Sequence, residues 1–103
     1  MNAIKNLGVI LLIISPFSWG KPKITTTFNV NEAGFTQVKI KNETFKGLAC
    51  FVAIDGFKKK FQLRPRSSSP WVTATDTRYN YQNFSTWCDY LDIHPKYRIY
   101  KIY

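Results

Sequence analysis

The segment Leu48–Leu63, LACFVAIDGFKKKFQL, consists of two apolar runs hinged on Asp55-Gly56. An Asp-Gly pair between β-forming runs is among the strongest short-range signals for a two-residue hairpin turn, in which both central residues take positive φ. Counting outward from that turn sets a register. Ile54 pairs with Phe57, Val52 with Lys59, Cys50 with Phe61 and Leu48 with Leu63 on one face. Ala53 pairs with Lys58, Phe51 with Lys60 and Ala49 with Gln62 on the other. Side chains alternate along a strand, so the first face, apolar except for Lys59, is the core side and directs Cys50 inward, which suits a disulfide bridging two packed sheets. Lys59, only two residues beyond Phe57, is expected to bury its stem and carry its charge past the hairpin end into water.

This register divides the basic run that continues to Arg66. Lys58 and Lys60 face outward, Arg64 extends the same face, and Phe51 lies among them. An aromatic flanked by cations suits a nucleobase, a sugar ring or an acidic side chain. The same lysines also suit a structural role, because charges on a solvated strand block edge-to-edge aggregation and their stems cover an aromatic. Arg66 falls in a loop of unpredictable direction.

Strand patterns extend on both sides of the hairpin. In KITTTFNV, Ile24, Thr26, Phe28 and Val30 alternate, the period of a half-buried strand. Asn31-Glu32-Ala33-Gly34 reads as a turn, and Phe35–Asn42 alternates again through Val38 and Ile40. Beyond the hairpin come a Ser/Pro loop at Ser67–Pro70, a short strand at Trp71–Ala74, a turn at Asp76-Thr77, and strands at Arg78–Tyr81, Phe84–Leu91 and Lys96–Tyr103. Six to eight short strands separated by turns point to an all-β fold, a small antiparallel β-sandwich. The order Cys50, Trp71, Cys88 brings the immunoglobulin architecture to mind. However, Trp71 lies 21 residues after Cys50, beside Pro70, and position 86 holds Thr86 where a tyrosine corner needs Tyr, so the likeness is architectural only.

The opening residues, MNAIKNLGVILLIISPFSWG, read as a signal peptide over 1–20, cleaved before Lys21. The apolar run Leu7–Phe17 is 11 residues long, against the roughly 20 a membrane span needs, so an uncleaved anchor is the weaker reading. No cysteine near the cleavage point offers a lipid attachment site. The expectation is a single exported domain, 21–103, periplasmic or extracellular, with a bacterial source favoured by the short leader and two-cysteine design. Without Lys5 its 14 basic and 6 acidic residues leave a charge of +8 (14 minus 6). Charge of that size bears on association and steering and not on the fold. Cys50 and Cys88 are expected to form a disulfide, which a small exported domain needs to supplement its limited core. Closing that loop stabilises by about 4 kcal/mol in the chain-entropy model.

The C-terminal quarter is dense in aromatics, and Tyr79, Tyr81, Tyr97 and Tyr100 are candidates for a ligand-binding aromatic face; core filling is the structural alternative. Trp71 and Trp87 are expected to pack on the disulfide. With one histidine and no local Cys/His cluster, neither a metal nor another cofactor is expected. A catalytic reading rests on His94, beside Asp92, as acid with Glu32 or Glu43 as base, in a small basic ribonuclease. Only size and charge favour it, since Ser67, Ser68 and Ser69 lack a nucleophile-elbow pattern. Asn42 and Asn83 head acceptor triplets for N-glycosylation, which matter only in a eukaryotic source. The sequence-based expectation is therefore a non-enzymatic binding module for an anionic partner: an acidic protein, an envelope polyanion or a glycan. A protein inhibitor or immunity-type partner of a secreted protein is the alternative, nucleic acid is not the expected partner, and the sequence sets no oligomeric state.

Overall fold

The computed structural model describes residues 20–103, so all of the signal-peptide expectation except Gly20 lies outside the described residues. Among the described residues six strands form two antiparallel sheets: β1 (Ile24–Val30), β2 (Thr36–Asn42), β3 (Leu48–Ile54), β4 (Phe57–Leu63), β5 (Val72–Thr73) and β6 (Ser85–Tyr90). One sheet has the order β1-β2-β5 and the other β4-β3-β6. The expected β-sandwich is therefore the observed architecture. Among the described residues no helix is long and apolar enough to cross a membrane.

The hairpin forms in the expected register, from Ile54 opposite Phe57 to Leu48 opposite Leu63. Asp55 and Gly56 take φ of 48° and 78°, the left-handed pair that this turn requires. The β1–β2 turn has its own local cause, since Asn31 Oδ1 accepts hydrogen bonds from the amides of Ala33 and Phe35 and Gly34 supplies a φ of 89°.

The core lies between the sheets. Val38, Ile40 and Val72 from one sheet meet Leu48, Cys50, Val52, Phe61, Leu63 and Cys88 from the other. Asn42 joins the two layers. Its wholly buried amide donates to the carbonyls of Lys46 and Arg64, and its Oδ1 accepts from the Thr44 amide and hydroxyl. With both amide hydrogens so engaged, Asn42 is not presented for glycosylation by the folded chain, whereas Asn83 is exposed.

The segment at Ser67–Pro70 is more than a loop. Ser68 bridges Lys41 while Val72 pairs with Val38, so the chain beside β2 gains one extra residue, a bulge at Ser69–Trp71. Buried Ser69 fills the resulting gap: its amide donates to the Ile40 carbonyl, and its hydroxyl oxygen accepts from the Ile40 amide.

Several expectations need correction. Cys50 and Cys88 are joined, but as direct partners on adjacent strands of one sheet and not between sheets. Strand β1 is not the half-buried strand its alternation predicts: it is exposed at every position beyond Ile24. Arg78–Tyr81 is not a strand; a 3₁₀ turn at Tyr81–Asn83, capped by Asn80, leads into β6 instead. Lys96–Tyr103 is not a strand either, since Pro95 opens a 3₁₀ turn to Ile99 and only the last residues run beside β4. That final stretch buries Gln62, expected to be outward and wet. The Gln62 amide donates to the Lys101 carbonyl, its carbonyl accepts from the Tyr103 amide, and its side chain donates to the Tyr100 carbonyl.

Candidate binding face

The outward face of the β4-β3-β6 sheet is built in rows. Lys60, Phe51 and Trp87 occupy one row across the three strands. Lys58, Ala53 and Ser85 form the next row, and Gln62, Ala49 and Asp89 the row on the other side. The alanines flanking Phe51 leave space for large rings. Phe51 and Trp87 fill it, stacked with centroids 5.3 Å apart and planes 21° apart. The C-terminal 3₁₀ turns then fold over this pair. His94 meets Trp87 edge-on at 5.0 Å, Tyr97 lies 5.9 Å from Trp87, and Tyr100 lies 5.3 Å from Tyr97.

The cations of this face rest on rings. The Lys58 ammonium is 4.4 Å from the Phe51 centroid, Lys60 is 5.7 Å from Tyr100 and Lys21 is 5.8 Å from Trp87. Burial raises the Tyr97 hydroxyl above its usual value, with the nearby Lys60 charge working against that shift. Lys59, on the opposite face as expected, is half-buried and reaches Tyr103.

Three of the acids are occupied elsewhere. Glu43 pairs with Lys41 and Arg66, Asp92 with Lys46 and Arg98, and Asp76 with Arg78. Among the described residues none of Lys58, Lys59, Lys60, Arg64 or Lys101 pairs with a carboxylate. Asp89 is the acid on this face. It accepts a hydrogen bond from His94 Nε2 at 3.0 Å and another from the Tyr90 amide. Burial is the largest influence on its carboxyl and acts upward, but these bonds and the charges of His94 and Lys21 outweigh it and hold the group below the usual range.

The four candidate tyrosines do not form one face. Tyr97 and Tyr100 join the face just described. Tyr81 instead packs edge-on against Phe28, and the Tyr79 hydroxyl is raised by its hydrogen bond to Asp55. Arg64 is exposed just past the end of β4, where strand alternation continues the Lys58–Lys60 side. Arg66 turns away, its guanidinium donating to the Glu43 carbonyl at 2.8 Å. Neither tryptophan packs on the disulfide. Trp87 follows Thr86 and precedes inward Cys88, so alternation sends it outward, while Trp71 lies beneath the Lys39 ammonium. That alternation was available in the sequence and marks Trp87 as a member of the face; no sequence signal marks Lys21.

The residues of the catalytic reading are dispersed. The carboxylate partner of His94 is Asp89 and not Asp92, and Glu43 is bound by the Thr25 hydroxyl. Among the described residues no serine or threonine hydroxyl is hydrogen-bonded to His94. Ser67 and Ser69 direct their hydroxyls to backbone carbonyls. Compared with known proteins, the chain matches no family model, no curated protein and no solved structure.

Proposed function

We propose that the chain is a non-enzymatic exported binding module that engages an anionic partner through the outward face of the β4-β3-β6 sheet. The observation that carries this reading is the pairing of Lys58 and Lys60 with aromatic rings and, among the described residues, with no carboxylate. A cation over a ring keeps its full charge and is held in a defined place, so an arriving anion meets it without first displacing an internal carboxylate. Lys58 and Lys60 stand about 7 Å apart along the strand, as alternate residues do, and Arg64 extends the line. The stacked Phe51 and Trp87 beside them add a flat apolar surface for a sugar ring or an aliphatic segment.

Export is supported by the disulfide, a bond that persists in oxidising compartments. A polyanion binder is expected to elute from an anionic resin only at high salt, since exposed charges are screened within about 8 Å at physiological ionic strength. Elution at low salt, or a stoichiometric complex with one protein that survives high salt, would favour the inhibitor or immunity-type reading instead.

A further inference from the structure

We propose that two copies of this chain pair antiparallel through strand β1, making one continuous six-stranded sheet. Strand β1 is an edge, and its free groups can be assigned. The Lys23 carbonyl accepts from the Glu43 amide and the Asn31 amide donates to the Phe35 carbonyl, so the odd positions of β1 bond to β2. In an antiparallel ladder the even positions then direct their amides and carbonyls outward. Ile24, Thr26, Phe28 and Val30 present these groups, and β1 carries no charge and no proline.

The other edges are protected. Strand β4 bears Lys58, Lys59 and Lys60 and is lined by Lys101–Tyr103, β6 bears Asp89, and β5 is two residues long. Charge on an edge is a common guard against pairing, and β1 lacks it. Two chains of charge +8 each repel, so an edge strand that carries no charge of its own is the one that opposes pairing least. Its sequence is also self-complementary. A twofold axis at Thr27 sets Thr26 opposite Phe28, Ile24 opposite Val30, and the Lys23 end of each copy beside the Glu32 end of the other.

That register also covers exposed apolar surface. Val30 is 62% exposed, Phe28 36% and Tyr81 58%, and with Asn29, Thr36 and Asn80 they line an open groove of about 260 Å³. The second copy's Ile24 would stand against Val30 at its mouth. This pairing is independent of the anion-binding face, which lies on the other sheet, and its salt dependence is opposite: screening should strengthen the dimer and weaken anion binding.

The test is sedimentation of the purified protein across concentration at low and high salt, with cysteine cross-linking to fix the register. The mass should rise from one chain to two, more readily at high salt. Thr26→Pro, which removes an outward amide but no β1–β2 bond, and Val30→Lys should each raise the dimer dissociation constant at least tenfold while the circular dichroism stays unchanged. Thr27→Cys, across the twofold axis, should give a disulfide-linked dimer under mild oxidation, and Thr25→Cys should not. A single-chain mass at every concentration and salt, a dimer indifferent to both edge variants, or equal cross-linking at the two positions would overturn the proposal.

Discussion

Cys50 and Cys88 are direct cross-strand partners on β3 and β6, with Cα atoms 4.1 Å apart, so the disulfide ties neighbouring strands of a single sheet. It closes a long loop that includes the β3–β4 hairpin, the bulge and β5. Replacing both cysteines with alanine is expected to lower stability by about 3–4 kcal/mol, a large part of what a small domain has. Urea denaturation of the double variant, and of the parent with and without reductant, reads this loss. An unchanged midpoint would show that the bond is dispensable.

Asn42 is expected to be as sensitive as any core aliphatic. Asn42→Ala removes four hydrogen bonds and leaves the Thr44 amide without its partner, while the Lys46 and Arg64 carbonyls and the Thr44 hydroxyl keep other bonds to Thr44, Ser67 and Lys46. Stranding one such group costs about 1–3 kcal/mol before relaxation or water entry, and the other lost bonds and the vacated volume add to it. A net loss of about 2–4 kcal/mol should appear as a fall in melting temperature of more than about 10 °C. Asn42→Asp should be no better, because a carboxylate cannot donate to the Lys46 and Arg64 carbonyls.

Acid sensitivity is expected to centre on two carboxylates. Asp76 is held down to about 2, chiefly by the Arg78 side chain and then by the Arg78 amide. Asp89 is also depressed, by the bonds that outweigh its burial. A depressed carboxyl contributes stability that is complete above its unfolded value, about 3.9, and is lost as pH falls through its folded value. The contribution of this pair should therefore be constant above about 4 and decline towards 2. Asp89→Asn should weaken the protein at neutral pH and make the acid limb shallower; an unchanged acid limb would show that the His94 contact contributes nothing.

The Gln62–Tyr103 pairing gives the C-terminal residues a structural task. Removing Lys101–Tyr103 takes away two backbone bonds to Gln62, one to Arg64, and the Tyr103 ring that meets Phe61 at 5.8 Å. Hydrogen exchange should accelerate sharply at the Gln62 and Arg64 amides and little at β2. Equal acceleration at both would mean that the tail supports the whole fold and not this edge.

Strand register was legible because Asp55-Gly56 permits one tight turn, and alternation then fixed the face of each β3 and β4 side chain but not its burial: Ala49 and Gln62 on the outward face are buried, and Phe57 on the core side is 49% exposed. What escaped was set by contacts distant in sequence. Gln62 is buried by residues 38 or more positions away, and nothing in β4 announces them. The tail YRIYKIY carries strong β-forming residues, yet Pro95 and the packing of Tyr97 on Trp87 give it a 3₁₀ turn, so tertiary contact overrode propensity. Likewise Ile24–Val30 has the pattern of a half-buried strand and is exposed beyond Ile24, because alternation marks a face without supplying the layer that would cover it. Within the candidate face Lys58, Lys60 and Phe51 followed from counting. Lys21 and His94 arrive from segments whose paths local sequence does not encode.

The most direct test of the binding face compares two variants of equal charge. Lys58, Lys60 and Arg64 changed together to alanine remove three charges from the aromatic face, and Lys23, Lys39 and Lys41 changed together to alanine remove three from the other sheet. Calorimetric titration with a sulfated polysaccharide at physiological salt should show at least a tenfold loss of affinity for the first variant and less than threefold for the second. Equal losses in both would contradict the account, because binding would then follow net charge and not the face built on Phe51 and Trp87.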